Sequence, residues 1–277
     1  MIYLGIIGSG NVGSALGKAL AIHGYRVIFH DISRKQLAPF KRKYRTTMDL
    51  RELATTCSVL FICVPTESKP NGDCDISILR SVVRQLKDFK GIIVQVSTVP
   101  PGTARQMAKQ TDATYVVVPS LFSMARMEYD ALHPVRVMIG TQDGKPNRQI
   151  TEIYSVLGGP IYYGTYEAIE LAKYADNALS ACLISYWNEI FEIAQKLQVD
   201  SDWIARMIET GPHYRSVYRW HGKAYGGPCL PKDTWALRNW AVKNLGYYPQ
   251  LIDAIHQINV RMRRKHGVST RPYVYRP

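Results

Sequence analysis

The sequence has no run of about 18 uncharged apolar residues, so no membrane-spanning helix is expected. It has no CxxC pair. Its cysteines, at 57, 63, 74, 182 and 229, are odd in number and irregularly spaced, which argues against a disulfide framework and against a zinc or other metal site. Acidic residues are scarce: 22 Asp+Glu against 35 Lys+Arg leave a formal charge of +13. Glycine (20) and proline (15) are at ordinary levels, which excludes a collagen-like or low-complexity polymer, and the 46 % apolar content excludes a disordered chain. The opening residues, Ile2 to Gly8, carry no basic region and no cleavage site, and read as a first strand. With the cysteine usage, this gives the expectation of a reducing cytoplasm. Cys57, Cys63 and Cys182 lie in apolar runs and read as core residues, whereas Cys74, between Asp73 and Asp75, reads as an exposed loop thiol.

What is present is positive charge in two clusters. One is Arg34, Lys35, Lys41, Arg42, Lys43, Arg45 and Arg51; the other is Arg261, Arg263, Arg264 and Lys265, with Arg271 and Arg276 beyond. Such clusters are usually solvated faces, and the alternative is attraction for an anion. Aromatic residues are not interleaved with them as a stacking platform requires, so nucleic acid is not an expected partner.

The first half alternates short apolar runs with amphipathic segments. Strands are expected at 2–7, 26–30, 59–64, 92–97, 115–119 and 135–140, and helices near 11–23, 34–44, 76–88 and 102–110. Val/Ile-rich strands without strict alternation suit a doubly wound parallel sheet covered on both faces. After about residue 164 the pattern turns helical, with one uninterrupted helix from Tyr166 to Leu197 and shorter ones near 200–210, 232–245 and 248–265. The expected organisation is an α/β domain over 1–164, an all-α domain over 165–267 and a surface tail over 268–277.

Gly8-Ser9-Gly10-Asn11-Val12-Gly13 fits GxGxxG, follows the first strand and opens a helix. In a Rossmann-type βαβ unit, Gly8 permits the tight turn, Gly10 lets a pyrophosphate approach and Gly13 permits close helix packing. The first amides of that helix, over Asn11 and Val12, face the phosphates. Asp31, 23 residues after Gly8, ends the second strand, where a carboxylate accepts ribose hydroxyls and repels a 2′-phosphate. NAD is therefore favoured over NADP, with Arg34 and Lys35 pulling the other way. Val64, Pro65 and Thr66, and Ser97 and Thr98, leave the carboxyl edge of the sheet, where ligands bind. Ser97 reads first as a helix cap, and Thr98 equally as a cap or a ligand contact.

Two features of the second half carry chemistry. Lys173 and Asn177 stand at i, i+4 on one helix face, where an ammonium and an amide can stabilise an oxyanion, although an exposed lysine is the simpler reading of Lys173 alone. In Tyr225-Gly226-Gly227-Pro228-Cys229-Leu230-Pro231-Lys232-Asp233-Thr234, a cysteine precedes a helix opened by proline and stands near a lysine, a setting that favours thiolate.

These motifs, together with Ser97-Thr98-Val99-Pro100-Pro101-Gly102-Thr103, occur in the order seen in the UDP-glucose/GDP-mannose 6-dehydrogenases, which the chain resembles from residue 1 to about 267. The resemblance implies four-electron oxidation of a nucleotide-sugar primary alcohol with NAD. It makes Cys229 the nucleophile that forms a thiohemiacetal and then a thioester, and puts Lys173 and Asn177 at the oxyanion. Asp233 and Thr98 position water or substrate, and Lys232 lies on the cofactor side. Ser120, Leu121, Tyr225, Gly226 and Gly227 fall to the substrate. The chain departs from the family in two ways. It stops at Pro277, where family members begin a further nucleotide-binding domain, so the nucleotide falls to the basic C-terminal stretch or to a separate chain. The family's hydrolytic glutamate is replaced by Ser120, so the last step is expected to be slow unless Glu67 or Glu128 substitutes.

Two other readings compete. A two-electron enzyme like the β-hydroxyacid dehydrogenases shares the Rossmann domain, the long helix and the Lys/Asn pair. A non-catalytic NAD-binding scaffold has no need of Cys229, Lys173, Asn177 and Asp233 together. Leu171, Tyr174, Leu179, Leu183, Tyr186, Trp187, Ile190 and Phe191 give the long helix more apolar surface than one small domain covers, and a homodimer built on it is expected.

Overall fold

Runs of valine, isoleucine and leucine such as 59–62 and 92–94 must place apolar side chains on both faces of a strand, which is stable only inside a covered sheet. The computed structural model, which describes residues 2–209, 223–227 and 229–267, forms that sheet. In chain order the first elements are β1 (Tyr3–Ile7), α1 (Asn11–Ile22), β2 (Arg26–His30), α2 (Arg34–Leu37), β3 (Arg45–Thr47), α3 (Leu50–Thr56) and β4 (Val59–Ile62). There follow α4 (Ser77–Gln85), β5 (Ile92–Gln95), α5 (Thr103–Ala108), β6 (Thr114–Val117), α6 (Met127–Leu132), β7 (Val137–Thr141), α7 (Arg148–Ser155) and β8 (Ile161–Thr165). The rest is helical: α8 (Tyr166–Leu197), α9 (Ser201–Glu209), α10 (Leu230–Leu245) and α11 (Gln250–Lys265). Among the described residues no helix is long and apolar enough to cross a membrane.

The sheet order is β3-β2-β1-β4-β5-β6-β7-β8. The strand order reverses between β1 and β4, so the loop after β1 opens at the switch point where doubly wound sheets bind ligands. Successive residues feed opposite cores. Ile6, Phe29, Phe61 and Val94 join one cluster, while Ile7, Ile28, Leu60 and Ile93 join the other.

The structure departs from the expected pattern in several places. β7 runs antiparallel to β6, through Val117 and Gly140, so the sheet is mostly and not wholly parallel. β3 and β8 are additional edge strands, β3 only three residues long and polar. The helix expected at 34–44 ends at Leu37, because Pro39 has no N–H to continue it.

The chain divides into two compact units. The first comprises Met1–Thr66 and Ile76–Lys173, the second Glu67–Asp75 and Tyr174–Pro277. This division falls about two turns into α8, where Tyr166 and Ile169 pack into the second core of the sheet. The expected tail, 268–277, and Pro228 lie outside the described residues.

The excursion Glu67–Asp75 is a hairpin, with Asp75 N–H donating to the Glu67 carbonyl (2.7 Å) and an antiparallel bridge between Ser68 and Cys74. It is seated on α10 of its own unit. Asn239 donates to the Asn71 carbonyl (2.7 Å), Lys243 pairs with Asp73, and Gly72 lies against the Trp235 ring. A Cβ at Gly72 would stand 2.4 Å from that ring. Cys74 is consequently buried, at 8 % exposure, and is not the exposed thiol that its acidic neighbours suggested. The second unit's apolar cluster gathers Ala181, Ile184, Tyr225 and Ile255.

Candidate functional site

In the first unit the glycine loop divides its work among three positions. Gly8 has φ +90°, and a Cβ there would meet the Cys63 carbonyl oxygen at 2.7 Å. A Cβ at Gly13 would stand 2.0 Å from the Gly8 carbonyl oxygen. Both glycines are therefore required by the fold itself. Gly10 is different: a Cβ there meets nothing within 4 Å. It is the N-cap of α1, no side chain caps that helix, and its first turn holds no acidic residue. The backbone is open where Asn11, half-buried Val12 and Gly13 present their amides, which is the geometry an anionic diphosphate needs.

Asp31 follows β2. Its carboxylate accepts from the amides of Ser9 and Ser33, each at 2.8 Å, which fixes both oxygens at the rim of this loop. A carboxylate has about four lone-pair sites, so the two amides leave capacity for ribose hydroxyls. The residues thus fit a dinucleotide. Arg34 and Lys35 are exposed on α2.

The segments leaving β4 and β5 are fastened to each other. The Ser97 hydroxyl donates to the Val64 carbonyl (2.7 Å), and the Thr66 hydroxyl donates to the Thr98 carbonyl (2.7 Å). Ser97 is not a helix cap, since Gly102 occupies that place for α5. Pro65 is exposed between these anchors. Ser120 and Leu121 follow β6 half-buried, and Leu121 packs against the core. Glu128 pairs with Lys18 (2.7 Å) on the surface, and Glu67 opens the hairpin of the second unit.

Lys173 is 8 % exposed, which contradicts the reading of an exposed helix lysine. Asn177, one turn further along α8, is likewise buried. In the second unit the Asn177 amide donates to Asp233, whose other carboxylate oxygen lies 2.6 Å from the Lys232 ammonium. Asp233 is 1 % exposed, so it is an interior node. Burial alone would lower the Lys232 pKa. The Asp233 carboxylate, reinforced by the Cys74 and Cys229 sulfurs, outweighs that and holds it above the ordinary value.

Cys229 is exposed and is the N-cap residue of α10, its carbonyl accepting from the Asp233 amide at 2.8 Å. Its thiol therefore belongs to the positive end of that helix. The other thiols are unlike it: burial pushes Cys57 up to about 12 and Cys63 higher still. Gly226 and Gly227 are exposed, whereas the Tyr225 ring is buried in the cluster of its unit and offers less to a ligand than its sequence position suggested.

Glu170 was not among the residues expected at the site. It is 2 % exposed, and its two oxygens accept from the amides of Gly102 and Ala104, each at 2.7 Å. Burial pushes it up to about 7 against the pull of those amides. A lone glutamate in an apolar helix carries no motif, and its spacing from Lys173 was the only available hint.

Comparison with known proteins places these features. The NAD binding domain of the UDP-glucose/GDP-mannose dehydrogenase family matches residues 38–158, and the central domain of the same family matches residues 167–261. The description "NADP oxidoreductase coenzyme F420-dependent" matches residues 3–71, the part that carries the glycine loop. UDP-glucose 6-dehydrogenase of Rhizobium meliloti is 29 % identical over 84 % of this chain and 62 % of its own length. The chain spans just under two thirds of the length of such curated relatives. A UDP-glucose dehydrogenase structure from Pyrobaculum islandicum superposes with a TM-score of 0.85 at 23 % identity, covering 96 % of this chain and 72 % of the other. The 3-hydroxyisobutyrate dehydrogenase of Mycobacterium tuberculosis shares the fold with a TM-score of 0.75 at 17 % identity, covering 96 % of this chain and 95 % of the other. The two domain matches together cover well over half of the chain, in family order, and the chain belongs to the UDP-glucose/GDP-mannose dehydrogenase family, of which it carries the NAD-binding and central domains.

Proposed function

We propose that the protein oxidises the primary alcohol of a nucleotide sugar through a covalent intermediate on Cys229. The observation that supports this best is the setting of that thiol: exposed, first in α10, beside the buried Lys232–Asp233–Asn177 node. NAD, when bound, accepts the hydride of each oxidation. The chain's own groups then have distinct tasks. Lys173 and Asn177 hold the substrate oxygen and stabilise the negative charge it develops. The Cys229 sulfur adds to the aldehyde carbon as a thiohemiacetal, loss of a hydride from that carbon leaves a thioester, and water cleaves the C–S bond to release the acid and restore the thiol. Asp233 and Thr98 orient the water and the sugar. Asp31 selects NAD over NADP by its charge.

Ser120 is a poor base at neutral pH, and Glu128 is engaged by Lys18 on the surface, so hydrolysis of the thioester is the slow step. The test is to count NADH per nucleotide sugar across UDP- and GDP-sugars while weighing the intact protein. The expected result is a burst approaching two NADH per site with a mass adduct on Cys229. One NADH per sugar without an adduct supports two-electron oxidation instead, and NAD binding without turnover supports a scaffold.

The physiological form is a homodimer assembled on α8. Leu179, Tyr186 and Ile193 are exposed at intervals of seven, with Leu197 one turn on, whereas Tyr174 and Trp187 are buried within the chain. An apolar stripe at heptad spacing suits an identical helix as its cover. Sedimentation is expected to show a dimer that Leu179→Glu with Tyr186→Glu converts to monomer; a monomeric parent chain refutes it.

A further inference from the structure

Gly102 caps α5 and Thr98 stands four residues before it, so the position of α5 sets the path of the loop that carries Thr98. At its sheet end this loop is fastened by Ser97 and Thr66. At its helix end the loop closes on itself, the Thr103 hydroxyl donating to the Pro100 carbonyl (2.7 Å), and it is tied to α8 by Glu170 through the paired acceptance from Gly102 and Ala104. Glu170 lies on α8 three residues before Lys173, on the same side of the helix. The residue type is informative. The two amides meet separate oxygens of one side chain, an arrangement that a carboxylate satisfies. A glutamine would turn its NH2 group against one of them. Burying a carboxylate that no cation contacts by a hydrogen bond or ion pair is costly, and a purely structural link would be made more cheaply by apolar packing.

We propose that Glu170 is a positioning residue: it locks the loop bearing Thr98 to the helix bearing Lys173 and thereby fixes the spacing of two groups that act on the sugar. This rests on the nucleotide-sugar reading given above. A neighbouring link serves as control. Arg105 of α5 pairs with Glu167 of α8 through two hydrogen bonds of 2.5 and 3.0 Å, but both side chains are over a third exposed and the pair touches no loop amide.

The groups facing Glu170 also set its response to pH. They are Tyr166 and Glu167 on α8, Arg105 on α5, Tyr115 on β6 and, as a neutral donor, Gln95 on β5. A carboxylate raised on folding favours the folded state at low pH, and that contribution is lost as pH rises from its ordinary 4.5 through about 7. Glu170→Gln removes this part of the pH profile of thermal stability.

The experiment compares the parent chain, Glu170→Gln and Arg105→Gln. It measures amide hydrogen exchange of the cofactor-free chain and steady-state NADH release. For Glu170→Gln, protection of the Gly102 and Ala104 amides is expected to fall about tenfold and kcat about tenfold, with KM for NAD within roughly twofold; tenfold corresponds to ~1.4 kcal/mol. Arg105→Gln leaves both readouts near the parent values. The proposal is overturned if Glu170→Gln lowers only the melting temperature, or if Arg105→Gln reproduces the loss of kcat. A parent chain without turnover on any nucleotide sugar sinks the functional reading and with it the catalytic meaning of the clamp. The exchange data would still decide whether the clamp exists.

Discussion

Serine in place of Cys229 is expected to lower NADH release more than about a thousandfold, the scale on which removal of a covalent nucleophile acts. Serine has nearly the same shape, but its hydroxyl is far less acidic than a thiol, so the helix terminus and the neighbouring Lys232 do not bring it into its nucleophilic form. The carbonyl that receives the Asp233 amide is unchanged, so α10 keeps its first turn and the variant folds. Any residual reaction stops at one NADH per sugar, because the aldehyde is no longer captured. The measurement is NADH absorbance with product analysis. A Cys229→Ser variant that keeps most of its rate would remove covalent catalysis and leave the two-electron reading, whose fold the chain shares with a hydroxyacid-type dehydrogenase structure.

The second large effect concerns two glycines three residues apart. Gly13→Ala would bring a methyl to 2.0 Å from the Gly8 carbonyl oxygen, a backbone atom that cannot rotate away, with the Ile6 side chain at 3.0 Å. Overpacking against backbone at this distance is expected to cost more than about 3 kcal/mol. Gly10→Ala, by contrast, places its methyl in open space, with nothing within 4 Å, at a φ of −69° that alanine adopts readily. It should melt at the parent temperature or slightly above it, while its NAD affinity falls at least about tenfold as the methyl occupies the approach of the diphosphate. Calorimetry with a cofactor titration separates the two. Equal melting temperatures for both variants would show that the loop is not packed as described.

The contrast between these glycines shows what could be read in the chain and what could not. The glycine loop was legible because each glycine answers a backbone requirement that no other residue meets, and α8 was legible to its end residues because nothing within 166–197 interrupts it. β3 and β8 were not legible. Arg45-Thr46-Thr47 has no apolar signal, and its place is set by pairing with β2. Lys173 illustrates the reverse case: a cation on a helix looks solvated in sequence, and only tertiary packing buries it. Cys74 was misread for a related reason, since acidic neighbours suggest solvent but the hairpin turns the sulfur inward. Glu170 and the Asp233 node depend on contacts across 66 and 56 positions of chain, which local pattern does not encode.

The hairpin on α10 bears on how this protein can be cut and recombined. Because its polypeptide leaves the nucleotide-binding unit at Thr66 and returns at Ile76, that unit is not a transferable cassette. A fragment ending near 165 keeps the nine-residue excursion but discards Trp235, Asn239 and Lys243, the platform to which it is fitted. Exchange of this half with a relative must carry matching surfaces on both sides of that joint, so drift in either partner constrains the other.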